Sequence, residues 1–258
     1  MSQDSVLLER RDQIARVTLN RPDVLNAFNN AMFQRFLQVV DEIKTDRTLR
    51  AVYLTGAGRG FCAGQDIAGG LPETTYGELL EKGWNPLIRS LRALDIPIVC
   101  AVNGVAAGAG ANVALACDFV IAAEEASFIQ AFINIGLVPD SGGTLTLPQL
   151  VGTARATRML MLGEKIGAKQ AAEWGMIHQA VPLASLEAEG WGLVSKLGQM
   201  PTLALGLTKQ LINLAATNTM TQQLSAEAER QTIAGRSHDH LEGVQAFKDK
   251  RRPKFEGR

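Results

Sequence analysis

The chain predicts a layered α/β core finished by a helical C-terminal subdomain. Three observations carry that prediction. Strand-like runs alternate with helical periods from the start of the chain. Two short apolar runs each lead into a glycine-rich segment and then a helix. From about residue 203 the pattern is helical throughout.

In order, residues 5–10 and 13–19 alternate and read as a strand pair around the charged turn 9–12. A helix over 30–45 follows, with Met32, Phe33, Phe36, Leu37, Val40 and Ile43 on one 3.6-residue face. Residues 51–55 and 98–102 are apolar strands, separated by a helix over about 76–94. Further strands are expected at 119–122 and 126–128, and helices near 142–150, 154–162 and 168–174. The tail reads as helices over 203–217, 221–234 and 240–250. This divides the chain into a core, 1–200, and a helical subdomain, 201–258, with no exact internal repeat.

Composition bounds the function. The 258 residues are 46% apolar and 20% charged, with 26 basic against 26 acidic side chains. A balanced charge offers no electrostatic reason to expect nucleic acid or an anionic membrane as partner. The basic stretch 248–254 is short enough to be a solvated tail, or to meet a phosphate-bearing ligand. Three cysteines without metal spacing fit a reducing compartment. The first 13 residues lack the apolar segment of a signal peptide, and no run reaches the roughly 18 apolar residues that span a bilayer. A cytoplasmic protein is expected.

The two glycine-rich segments are GRGFCAGQD (58–66) and NGVAAGAGAN (103–112). Neither carries the Gly-Lys-Ser/Thr of a phosphate-cradling loop. The glycines at 108 and 110 begin a dinucleotide pattern, but Val113 stands at its sixth position. Small residues let backbone approach backbone, so the pair could serve close packing alone. It could also present two main-chain N–H groups to one oxygen, an oxyanion hole.

These words, in order, resemble the crotonase superfamily of enoyl-CoA hydratases and isomerases. The matching residues include Leu19-Asn-Arg-Pro22, Leu25-Asn-Ala27, Gly60-Phe-Cys-Ala-Gly-Gln-Asp66 and Asn103-Gly104 with its small-residue run. Cys117-Asp118, Gly136-Leu-Val-Pro-Asp140-Ser-Gly-Gly-Thr144, Ala172-Glu-Trp-Gly175 and Glu242-Gly243 through Phe247-Lys-Asp-Lys-Arg251 continue the match into the last helix. The resemblance implies a spiral of ββα turns and C-terminal helices that mediate a homotrimer or a hexamer of two trimers. It implies an acyl-CoA thioester as substrate, with CoA arriving as part of that substrate and no metal or redox cofactor.

By the same resemblance, the N–H groups of Gln65 and Ala109 form the oxyanion hole. The CoA adenine would meet the backbone around Ala63, Asp66 and Ile67, and Phe247 and Lys250 would reach a neighbouring subunit's CoA. Asp23 stands where many relatives carry a lysine, so no ionic contact to CoA is expected there. Hydratases of the superfamily use two glutamates, at positions that match Asn112 and Phe132 here. An amide and a benzene ring cannot act as general base towards water. One carboxylate remains in the region, Asp140, at or near the acidic position of family members that shift double bonds. Burial against Phe132, Ile133 and Val138 would raise its pKa; alternatively it caps the helix expected from residue 142.

Asp118 is read as ordering backbone, and His178, His238 and His240 as surface or packing residues. The words around residues 55–67 and 102–111, with Trp84-Asn-Pro-Leu87, look most like the branch of the family that acts on ring-1,2-epoxyphenylacetyl-CoA. Ile67-Ala-Gly-Gly70 and the acyl-facing stretch 128–134 depart from that branch. The expected activity is an acyl-CoA isomerase working through an enolate. An enoyl-CoA hydratase, an aryl-CoA dehalogenase and a non-catalytic acyl-CoA-binding member are the alternatives.

Overall fold

The computed structural model describes residues 4–67 and 74–258. Strand β1 (Val6–Arg11) turns at Asp12, in the left-handed region at φ 54°, into the antiparallel β2 (Ile14–Leu19). A 3₁₀ turn over Pro22–Val24 leads to helix α1 (Asn30–Thr45), whose first turn is capped by Asn29 accepting from Met32 N–H. Strands β3 (Ala51–Gly56) and β4 (Gly60–Cys62) precede a helical stretch that the sequence reads as one element. It is three: α2 (Tyr76–Leu79), a π turn over Leu80–Trp84, and α3 (Asn85–Arg92). Pro86 has no N–H to give the ladder, and the pairing ahead of it slips to i→i−5, as in Asn85 N–H to Leu80 O.

Next come β5 (Ile98–Val102), β6 (Val105–Ala107) and α4 (Ala109–Leu115), then β7 (Phe119–Ala123) and β8 (Ser127–Ile129). A 3₁₀ turn (Ala131–Ile135) leads to α5 (Gly143–Leu162). Gly152, at φ 76° and ψ 159°, breaks α5 into the two helices expected from the sequence. Strand β9 (Lys165–Gly167), α6 (Ala168–Glu173) and β10 (Gln179–Val181) complete the sheets. The helices α7 (Leu183–Gly198), α8 (Thr202–Ala215), α9 (Met220–Ala234) and α10 (His238–Lys248) follow.

Two sheets result. The larger runs β1-β2-β3-β5-β7-β10, parallel from β2 onward, and the smaller runs β4-β6-β8-β9. Each of the pairs β3/β4, β5/β6 and β7/β8 gives its first strand to the large sheet and its second to the small one. This is the ββα spiral the resemblance implies. Strands β4 and β6 lie inside the glycine-rich segments, where small residues mask a strand pattern, whereas β8 falls where a strand is expected.

Helix α7 has no counterpart in the sequence reading, because Gly190 and Gly192 look like breakers. It packs Leu186, Val194 and Leu197 inward, and Gly190 is required there. A Cβ at 190 would stand 2.8 Å from the ring of buried Tyr53. Among the described residues no helix is long and apolar enough to cross a membrane.

The helical end is tied to the core by buried polar groups. Lys209 of α8 is 6% exposed and donates to Asp118 Oδ2 at 2.9 Å and to the carbonyls of Leu91 and Ile96. Burial pushes the Lys209 ammonium below the usual lysine range, against the pull of Asp118. Asp118 also accepts from Ile98 N–H and pairs with Arg92, so it orders backbone as expected. Removing one partner of a buried ion pair leaves the other uncompensated. Lys209→Met is therefore expected to lower stability by about 3 kcal/mol, read from the denaturant midpoint.

Candidate active site

The two glycine-rich segments meet. Gly64, at φ 88°, sits so close to the head of α4 that a Cβ on it would stand 2.9 Å from Ala107 O and 3.5 Å from Ala109 N. Gly110 answers from the other side: its Cβ would lie 2.4 Å from Cys62 O. Any side chain at either position would force β4 and α4 apart. The first segment is further clamped by two asparagines. Asn26, fully buried, donates through Nδ2 to Ala57 O, Gly60 O and Phe61 O, and accepts from Arg21 N–H. Asn103 accepts from Gly56 N–H and donates to Gly58 O.

The N–H groups of Gln65 and Ala109 lie at this junction, and neither has a backbone acceptor among the described residues. Gly64 O accepts from Phe28 N–H and Asp66 N–H donates to Phe28 O, so strand alternation turns the Gln65 N–H to the opposite side. Ala109 is the first residue of α4, where N–H groups lack intrahelical partners and the helix dipole favours negative charge. A contact that no local spacing signals holds the side chain of Gln65. Trp84, 1% exposed at the end of the π turn, donates from Nε1 to Gln65 Oε1 at 3.0 Å. Its ring is held by Phe28 and Phe33, at centroid separations of 5.1 and 4.8 Å.

Asp140 is tied to the same helix as Ala109. Asn112, one turn (roughly 4.5 Å of axis) beyond Ala109 on α4, donates from Nδ2 to the Asp140 carbonyl at 2.8 Å. Phe132 packs its ring over Gly108. The Asp140 carboxylate accepts from the Ser141 hydroxyl at 2.7 Å. Burial pushes the carboxyl above the usual aspartate range, and the Ser141 hydrogen bond opposes that shift. The expected wall is only partly present in the isolated chain: Phe132 is buried, but Ile133 is 47% and Val138 82% exposed. Ile133 turns towards Gly163 instead. Asp140 does not cap α5, since Gly142 is the N-cap residue and no side chain caps that helix.

The residues expected near CoA fall into two groups. Ala63 and Asp66 lie within the first glycine segment, but their N–H groups already donate to Leu25 O and Phe28 O. An adenine contact at Ala63 would therefore use its carbonyl. Asp66 pairs with Arg21 at 2.9 Å, and Ile67 is 59% exposed. Ala68-Gly-Gly70 lies outside the described residues. Phe247 and Lys250 are exposed at the end of α10, Phe247 by 86%. His178, His238 and His240 are exposed.

The family model for enoyl-CoA hydratase/isomerase matches residues 9–258. The chain belongs to the enoyl-CoA hydratase/isomerase family. It is 48% identical to the 1,2-epoxyphenylacetyl-CoA isomerase of Escherichia coli over 252 residues, 95% of each protein. It is 43% identical to a Rhodobacter capsulatus protein named "Probable enoyl-CoA hydratase", over the full length of both. The crystal structure of enoyl-CoA hydratase from Bacillus anthracis superposes with a TM-score of 0.91 at 30% identity, covering 98% of this chain and 100% of that one. In this family member close packing of Gly64 and Gly110 and the Asn112–Asp140 hydrogen bond tie Gln65, Ala109 and Asp140 to the surroundings of α4.

Proposed function

We propose that the protein is an acyl-CoA isomerase in which Gln65 and Ala109 hold the thioester oxygen and Asp140 carries the proton. One observation supports this above the others. The two positions matching the hydratase glutamates are filled by Asn112 and Phe132, while Asp140 is anchored one helical turn from Ala109. The two N–H groups stabilise the negative oxygen that forms when the α C–H bond breaks and its electron pair enters the enolate. Asp140 takes that proton and returns it to the γ carbon as the double bond moves. No atom is gained or lost, so no water, metal or redox cofactor is needed.

The likeness to the E. coli isomerase supports a ring-1,2-epoxyphenylacetyl-CoA substrate. CoA enters as part of it. Its adenine would lie along Ala63, Asp66 and Ile67, and a neighbouring subunit would supply Phe247 and Lys250. A homotrimer, alone or paired into a hexamer, accounts for α9 burying no residue of its own and for the exposure of Leu241, Val244 and Phe247. A cytoplasmic site of action fits the free, buried cysteines.

The test is turnover of a 3-enoyl-CoA and of the epoxide, followed by mass spectrometry in heavy-oxygen water. Shifted double bonds without label are expected. Label in the product would assign a hydratase, and a covalent adduct with a 4-halobenzoyl-CoA would assign the dehalogenase. Acyl-CoA binding with no exchange of α-protons into deuterated water would assign a binding protein.

A further inference from the structure

We propose that the Asn112–Gln130 amide pair is a positioning device that sets where Asp140 stands relative to the oxyanion donors. This rests on Asp140 being the proton carrier. Asn112 is 3% exposed and Gln130 is fully buried. Gln130 Nε2 donates to Asn112 Oδ1 at 2.9 Å, and Asn112 Nδ2 donates to the Asp140 carbonyl at 2.8 Å. The relay therefore runs from the small sheet, through α4, to the backbone of the proton carrier.

The direction of the relay is fixed by chemistry. A carbonyl only accepts, so Asn112 must present its NH₂ to Asp140 and its oxygen to Gln130. Gln130 must then present its own NH₂, which leaves its Oε1 buried with no partner among the described residues. An unpartnered buried acceptor costs stability. A pair retained at that cost is explained by the position it enforces. A carboxylate at 112 could not replace the amide, because both its oxygens accept and one would face the Asp140 carbonyl.

The segment it holds needs holding. Asp140 O also accepts from Gly143 N–H at 3.0 Å, closing a tight turn whose central residues, Ser141 and Gly142, sit at φ 52° and 78°. A left-handed serine is unfavourable unless its surroundings determine it. Gly143 has to lack a side chain, since a Cβ there would stand 2.6 Å from Asn112 Nδ2. The amide thus seats directly on the turn that carries Asp140.

The experiment compares Gln130→Leu, the double variant Asn112→Leu/Gln130→Leu, and Asp140→Asn, with kcat, KM and pH profiles on a 3-enoyl-CoA. Replacing both amides by apolar groups of similar shape removes the orphaned acceptor, so the double variant is expected to melt near the parent temperature. Its kcat is expected to fall on the order of tenfold or more, with KM little changed, because misplacement by about 1 Å can cost 100-fold. The acid limb of kcat should move down, towards an ordinary carboxylate value, as the loosened turn admits water. Should the double variant not fold, Gln130→Leu decides by the same readouts. A folded amide variant with kcat within about twofold of the parent and an unmoved acid limb would overturn the role of the pair. Parent-like turnover in Asp140→Asn would overturn the reading of Asp140, and this proposal with it.

Discussion

Asp140→Asn is expected to abolish isomerisation while leaving acyl-CoA affinity intact and making the protein slightly more stable at neutral pH. A positioned acid–base group contributes on the order of 10²–10⁴-fold, so kcat should fall by at least the lower figure. The stability gain follows from linkage. Burial raises the Asp140 pKa in the folded state above its unfolded value. Between those two values the native state binds more protons than the unfolded chain, so stability falls as pH rises through the window. Above it, ionised Asp140 is a net cost that asparagine does not carry. The difference in melting temperature between the variant and its parent should thus be positive at neutral pH and vanish below the usual aspartate range. Parallel melts across pH, with isothermal titration of an acyl-CoA, check both halves. A variant that loses turnover together with affinity or stability would point to a structural aspartate. The same shift places the acid limb of the parent's rate profile above an ordinary carboxylate's.

How much of this was legible in the sequence depends on the range of the interactions. The strands β1, β2, β3, β5 and β7 and helix α1 carry strong local periods, and the structure has them within a residue or two. The glycine segments were legible as a place where backbones come close, because only missing side chains permit separations such as that of Gly64 from Ala109. Helix α7 was hidden, since Gly190 signals a break locally but serves the close approach of Tyr53 on β3. Within the site, the aspartate could be named but not its surroundings. Trp84 lies 19 residues from Gln65, and Gln130 lies 18 from Asn112. Neither pair has a spacing that any local period would reveal. The Ile133 and Val138 side chains fail as a wall because Ile133 sits in a 3₁₀ turn and Val138 in the irregular stretch after it, and both are exposed.

Gly64→Ala is expected to cost as much activity as the loss of an oxyanion donor without removing any side chain of the site. Two effects separate here. The first is backbone strain, because alanine at φ 88° loses about 1–2 kcal/mol relative to glycine. The second is a wedge: the new methyl would press on Ala107 O at 2.9 Å and crowd Ala109 N at 3.5 Å, both of them main chain. Main chain in a sheet-to-helix junction cannot swing aside like a side-chain tip, so the head of α4 has to retreat from the first segment. Gln65 and Ala109 would then no longer converge on one oxygen. Losing one such donor costs about 2.7–4 kcal/mol of transition-state stabilisation, or 10²–10³ in kcat. Gly152→Ala is the control. It shares the positive φ, at 76°, but a Cβ there meets nothing within 4 Å. It should lose roughly 1–3 kcal/mol of stability and keep its kcat. If both variants lose stability equally and both retain turnover, the closeness of the two segments is packing alone. If only Gly64→Ala loses kcat, the contact between the segments is what aligns the donors.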